Sequence, residues 1–128
     1  MFTPLGLDHV VLRVRDQAVS ERFYREQLGC SLERVNEKVS LVQLRFGEQL
    51  IDLLPALPGA PPPDGREMDH LCLSIRCDDL EAVAAELAAR GVVVEGGVVK
   101  RYGAYGDGPS LYLRDPDGHK IELKPRLR

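Results

Sequence analysis

The stretch Ile51-Asp52-Leu53-Leu54-Pro55, set beside Ile121-Glu122-Leu123-Lys124-Pro125, decides the fold. Each is a short apolar strand interrupted by one carboxylate. Each closes a segment that opens on Asp-His, namely Asp8-His9 in the first half and Asp69-His70 in the second. His9 and His70 stand 61 positions apart, Gly29 and Gly91 stand 62 apart, and Asp52 and Glu122 stand 70 apart. The spacing describes one unit written twice, with extra residues before the last strand of the second copy.

Leu7–Arg15 (LDHVVLRVR) alternates from Val10 on and predicts a strand with His9, Val11 and Arg13 on one face. Asp16 can cap a helix that runs to about Leu28 and stops at Gly29. Strands are expected at Ser31–Asn36, Val39–Phe46 and Gln49–Leu54, joined by short turns into an antiparallel meander. In the last of these, Ile51 and Leu53 face one way, and Leu50, Asp52 and Leu54 the other. Module one spans about residues 5–55, and the Pro-rich stretch 56–68 reads as a semi-rigid linker. Module two, about residues 69–125, repeats the order. Asp69–Arg76 alternates, Asp78 or Asp79 caps a helix to Arg90, and a Val-rich strand follows. Arg101–Pro109 (RYGAYGDGP) reads as a Gly-rich loop before strands Ser110–Arg114 and Lys120–Lys124. The expected class is α+β: two tandem βαβββ modules whose curled mixed sheets form a cup with the helices outside.

A chain of 128 residues has the length of one ordinary domain. Hydrophobic residues make up 44% and the net charge is −3, which gives no general attraction to nucleic acid or membrane. No apolar run approaches the roughly 20 residues of a membrane span, and the N-terminus shows no signal-peptide pattern. Cys30, Cys72 and Cys77 lack a motif spacing and are expected as reduced thiols in the cytoplasm.

If each aliphatic face packs on its own helix, the opposite faces carry His9, Asp52, His70 and Glu122. Two imidazoles with carboxylates suit a divalent ion such as Ni, Zn, Mn, Fe or Co and leave positions open for substrate. Each residue also has an ordinary reading: a hydrogen-bonded strand histidine, or a solubilising edge charge. The matched placement in both halves is what points to metal. His119, beside a Gly turn, is expected to face solvent.

At LDHVVLRVRD (7–16), FYREQLG (23–29), DHLCLSIR (69–76) and YLRDPDGHKIEL (112–123) the chain resembles the vicinal oxygen chelate superfamily. That group includes glyoxalase I, extradiol dioxygenases, and fosfomycin- and bleomycin-resistance proteins. The resemblance implies a metal-holding cup, a homodimer and a small-molecule substrate. It implies His9, His70 and Glu122 as metal ligands, with Asp52 at the position of a fourth ligand that is glutamate in short bacterial glyoxalases. It also implies Glu122 as the residue that moves a proton between neighbouring carbons of a carbonyl or hemithioacetal substrate, through a metal-bound enediolate. Arg13 matches a substrate-carboxylate anchor. Cys72 shares the His70 face and lines the pocket, and Tyr102 and Tyr105 are candidate lid residues over the substrate.

The leading expectation is a glyoxalase I-like lyase or isomerase. An Fe(II) ring-cleaving dioxygenase is the alternative, against which stands the lack of a spare cup His or Tyr other than His119. Fosfomycin-type resistance expects a hydroxyl residue where Val11 stands. A metal-free antibiotic-binding protein has no need of three ligands.

Overall fold

The computed structural model describes every residue except Phe2, Leu127 and Arg128. It divides into two compact units, Met1–Pro63 and Asp64–Arg128. Each unit is a βαβββ module, so the α+β class and the tandem repeat hold.

In the first unit, β1 (His9–Val14) leads into α1 (Gln17–Glu26). The Asp16 side chain accepts from the Val19 amide and caps the helix, which stabilises such an end by about 1 kcal/mol. The strands β2 (Ser31–Asn36), β3 (Leu41–Phe46) and β4 (Gln49–Pro55) follow. A 3-10 turn at Glu37–Val39 fills the expected turn and takes in Val39, the first residue that the alternation assigned to the next strand. The sheet order is β1-β4-β3-β2, with β1 parallel to β4 and the other pairs antiparallel. The helix packs on β3 and β4. Leu12, Val14, Leu44, Ile51 and Leu53 form the core beneath it, together with Tyr24.

The second unit repeats this plan with β5 (Leu71–Ile75), α2 (Leu80–Ala89), β6 (Val93–Gly103), β7 (Gly106–Arg114) and β8 (Lys120–Pro125). Asp79 caps α2 through two backbone amides. The order is β5-β8-β7-β6, with β5 parallel to β8. Leu73, Leu111, Leu113, Ile121 and Leu123 make its core with Leu80 and Leu87 of α2.

Two expectations fail here. Arg101–Pro109 is not a loop. β6 runs through Gly96-Gly97 with a bulge and pairs with β7 as far as Gly103–Gly106. The glycines supply a bulge and a tight hairpin end rather than irregular chain. The buried Lys124 ammonium fastens this hairpin, donating to the carbonyls of Arg101 at 2.6 Å and Gly108 at 3.1 Å. Its stem crosses Gly103, where a Cβ would lie 2.9 Å from Lys124 Cε.

The second failure is His119, which is only 3% exposed. Its ring is taken in by the Asp115–His119 turn. Asp115 Oδ1 accepts from the amides of Asp117 (2.9 Å) and His119 (2.8 Å), and Oδ2 meets His119 Nδ1 at 2.8 Å. Burial lowers the affinity of this imidazole for a proton, but the hydrogen bond and charge of Asp115, with Asp117 and Glu67, outweigh it and raise its pKa above 6.5. A raised folded value means that the stabilisation is complete below about 6.5 and fades as pH rises through the folded pKa. His119→Gln is therefore expected to cost about 1–3 kcal/mol at mildly acidic pH and less at alkaline pH. Urea unfolding across pH checks this, and a pH-independent cost would refute it.

Candidate metal centre

The alternation of β8 decides which groups face away from the helix. Ile121 and Leu123 point into the core, while Glu122 and Lys124 share the other face. Register then sets their neighbours: Cys72 of β5 and Tyr112 of β7 both lie opposite Glu122. Just before β5, His70 turns onto the same face. Its Nε2 lies 3.1 Å from Glu122 Oε1 and its Nδ1 lies 2.5 Å from Asp69 Oδ2.

His70 therefore sits between two carboxylates. A neutral imidazole carries one proton, so one of its nitrogens then faces a carboxylate oxygen lone pair to lone pair. A cation between Nε2 and Oε1, either a proton or a metal ion, removes that repulsion.

Glu122 is 5% exposed. Burial alone would raise its pKa. Hydrogen bonds from Ser110 and Tyr112, the charge of His70 and a hydrogen bond from Cys72 overcome this, and the carboxyl is held below its ordinary range. Ser110 Oγ donates to Oε2 at 2.6 Å. Glu122 is thus ionised and held at Oε2, with Oε1 turned to His70. A fixed, ionised carboxylate is a good metal ligand. Burial first, then the Glu122 charge, pushes the Cys72 thiol up to about 11.

Tyr112 was not among the residues read from the sequence. Its ring meets His70 edge-on at 5.8 Å and 80°, and Lys120 Nζ lies 4.7 Å from its centroid. Arg101 Nε donates to its hydroxyl at 3.3 Å. The alternation of SLYLR had the signal, because Ser110, Tyr112 and Arg114 share a face. The pairing with Glu122 came only with the hairpin register.

In the first unit, His9, Val11 and Arg13 share a face with Leu50, Asp52 and Leu54 through the β1–β4 register. His9 Nδ1 lies 2.7 Å from Asp8 Oδ1. That hydrogen bond is the main cause that raises the His9 pKa above 6.5; burial opposes it and the charge of Asp52 adds to it. Asp52 is 2% exposed. Gln43 Nε2 donates to its Oδ2 at 3.1 Å, while Oδ1 has no partner among the described residues. An unpaired buried carboxylate oxygen is costly, and a cation is the partner that best offsets the cost. The donor chemistry of both units thus fits a divalent ion: in each, an imidazole with Nδ1 occupied and a buried carboxylate with one oxygen turned to other use.

The remaining candidates are less embedded. Arg13 is exposed and donates to the Pro55 carbonyl at 3.1 Å. Tyr102 and Tyr105, at the end of the β6–β7 hairpin, are 81% and 65% exposed. The Tyr105 hydroxyl accepts from Arg126, whose guanidinium lies 4.6 Å from the ring centroid. A separate group, Asp115, Asp117 and His119, brings possible donor atoms within 4.8 Å of one another. Asp115 is already spent on the turn hydrogen bonds described above.

No helix among the described residues is long and apolar enough to cross a membrane. Comparison with known proteins shows the family. Virulence protein STM3117 of Salmonella typhimurium is 38% identical over 121 residues, covering 91% of this chain and 81% of that protein. Its crystal structure matches with a TM-score of 0.79 over 98% of this chain and 100% of that one, at 34% identity. A probable lactoylglutathione lyase of Vibrio cholerae is 33% identical over 125 residues, covering 90% of this chain and 86% of that protein. The glutathione transferase FosA of Serratia marcescens is 30% identical over 125 residues, covering 92% and 79%. The family model of the glyoxalase/bleomycin resistance protein/dioxygenase superfamily matches residues 6–123, and the chain belongs to that superfamily.

Proposed function

We propose that the protein is a divalent-metal enzyme of the glyoxalase I type, acting on a small carbonyl or hemithioacetal substrate. His9 and Asp52 of the first module and His70 and Glu122 of the second are the donor set. The observation that carries this reading is His70, with Nδ1 at Asp69 and Nε2 3.1 Å from the Glu122 carboxylate. Bound to these donors, a divalent ion supplies Lewis-acid stabilisation of negative charge on the substrate oxygens.

The chain's own residues do the rest. Glu122, ionised and held by Ser110 and Tyr112, accepts a proton from one substrate carbon and returns it to the neighbouring one. Positioned acid–base catalysis of this kind contributes about 10²–10⁴-fold. The Arg13 guanidinium pairs with a substrate carboxylate, and Tyr102 and Tyr105 cover the bound substrate. Cys72, kept as the thiol, lines the face without competing for the substrate carbonyl. The working form is a homodimer, and three free cysteines suit the reducing cytoplasm.

The test is turnover of the methylglyoxal–glutathione hemithioacetal after chelator treatment and reloading with Ni, Zn, Mn or Fe. Activity restored by at least one ion supports the reading. Silence with every ion, by protein that binds them, assigns the substrate to another class. One observation favours a second reading, an Fe(II) ring-cleaving dioxygenase: Tyr112 stands opposite Glu122 in the β7–β8 register and its ring abuts His70. Catechol cleavage with Fe(II), lost in Tyr112→Phe, would select it.

A further inference from the structure

Both candidate ligand histidines follow an aspartate, and in both the aspartate holds the same ring nitrogen. Asp8 Oδ1 lies 2.7 Å from His9 Nδ1, and Asp69 Oδ2 lies 2.5 Å from His70 Nδ1. Neighbours within a strand point to opposite faces and could not make this contact. Asp8 and Asp69 both stand before the first residue of their strands, β1 and β5, so strand alternation does not bind them. The backbone of Asp8 is nevertheless fixed, since its carbonyl accepts from the Leu50 amide of β4 at 3.2 Å.

The two aspartates do little for the core. Their side chains are 91% and 89% exposed, and a surface pair of this kind contributes little to stability. What the contact does fix is the ring. With Nδ1 engaged by a carboxylate, the imidazole offers Nε2, and in the second unit Nε2 is the nitrogen aimed at Glu122, 3.1 Å away. Carboxylates that take the far nitrogen of a metal-binding histidine set its tautomer and orientation and increase its basicity, and losing one typically costs about 10–100-fold in metal affinity.

We propose that Asp8 and Asp69 are positioning residues: each holds the Nδ1 edge of the histidine that follows it and presents Nε2 to a divalent cation. The proposal rests on the metal reading above. It assigns a purpose to the repeated Asp-His pair, in which only the histidine touches the ion.

The experiment is Zn2+ titration of the chelator-treated full chain by calorimetry for the wild type and for Asp8→Ala, Asp69→Ala and Asp69→Asn. The 15N spectrum of the histidine side chains is recorded for each Zn2+-loaded form. Expected is a loss of about 10–100-fold in Zn2+ affinity for each alanine variant, with unfolding midpoints close to wild type. Asp69→Asn, which keeps an acceptor oxygen, is expected to lie between the wild type and Asp69→Ala. The wild-type spectrum should show both rings protonated at Nδ1 and metallated at Nε2, and that pattern should degrade at the ring whose aspartate is removed. Wild-type affinity in both alanine variants overturns the positioning role while leaving the metal reading intact. Equal losses in Asp69→Asn and Asp69→Ala make the effect one of charge and also overturn it. A wild type that binds no Zn2+ overturns the metal reading, and this proposal with it.

Discussion

Glu122→Ala is expected to lower divalent-metal affinity by more than about 100-fold, beyond the usual cost of losing a supporting group around a metal. The substitution removes the buried carboxylate that faces His70 Nε2 and that four neighbours keep ionised. It also strips the acceptor from Ser110, which is fully buried, so part of any effect would be structural. Glu122→Gln separates the two. Its amide oxygen still accepts from Ser110, while its amide nitrogen replaces the oxygen that would ligate. Expected is a fold of near-normal stability with metal affinity as poor as in Glu122→Ala. If Glu122→Gln binds metal like wild type, Glu122 is a structural acceptor and not a ligand.

Asp52 is the informative contrast. Its side chain is one methylene shorter than that of Glu122, but its Oδ1 lacks a partner among the described residues. A fall in affinity for Asp52→Ala comparable to that for Glu122→Ala means a fourth ligand. Unchanged affinity means a three-ligand centre with more open positions, which suits oxygen chemistry better than proton transfer.

The second large effect is one of backbone packing. Gly65→Ala is expected to destabilise the fold by about 2–5 kcal/mol. Gly65 has φ of +81°, which a side chain tolerates poorly, and a Cβ there would lie 2.1 Å from Gly118 C and 2.5 Å from His119 N. Backbone atoms on both sides leave nothing flexible to yield. Gly118 answers in kind, with φ of +92° and a Cβ position 2.9 Å from the Asp64 carbonyl oxygen. Gly59 is the control: its φ is +76°, but nothing lies within 4 Å of its Cβ position. Gly59→Ala should therefore show only the conformational cost, about 1–2 kcal/mol. Calorimetric Tm values for the two variants decide the matter; equal losses would mean that the close approach at Gly65 is relieved at no cost. Because the tight turn at Asp115–Gly118 holds His119 and leads into β8, loosening it is expected to disturb Glu122 as well.

That close approach marks where sequence reading stops. The Pro-rich stretch 56–68 reads as a spacer because proline forbids regular structure, yet Gly65 is buried and wedged on the turn before β8. Nothing local in the stretch says so, since the partner lies more than fifty positions away. The hairpin at Arg101–Pro109 was obscured for a related reason. Glycine density reads as irregular chain, and only the Lys124 side chain passing across Gly103 and Gly108 shows why glycine stands there.

The repeat, the two βαβββ orders and the faces on which His9, Asp52, His70 and Glu122 stand were all legible in the chain of residues. These follow from local periodicity, which every residue carries with it. The tertiary structure alone decided the partners: Ser110 and Tyr112 on Glu122, Asp8 and Asp69 on the two Nδ1 atoms, and a buried His119 in place of an exposed one. Those depend on strand register and on rings turned by contacts, and distances between side chains are set only when the strands are laid side by side.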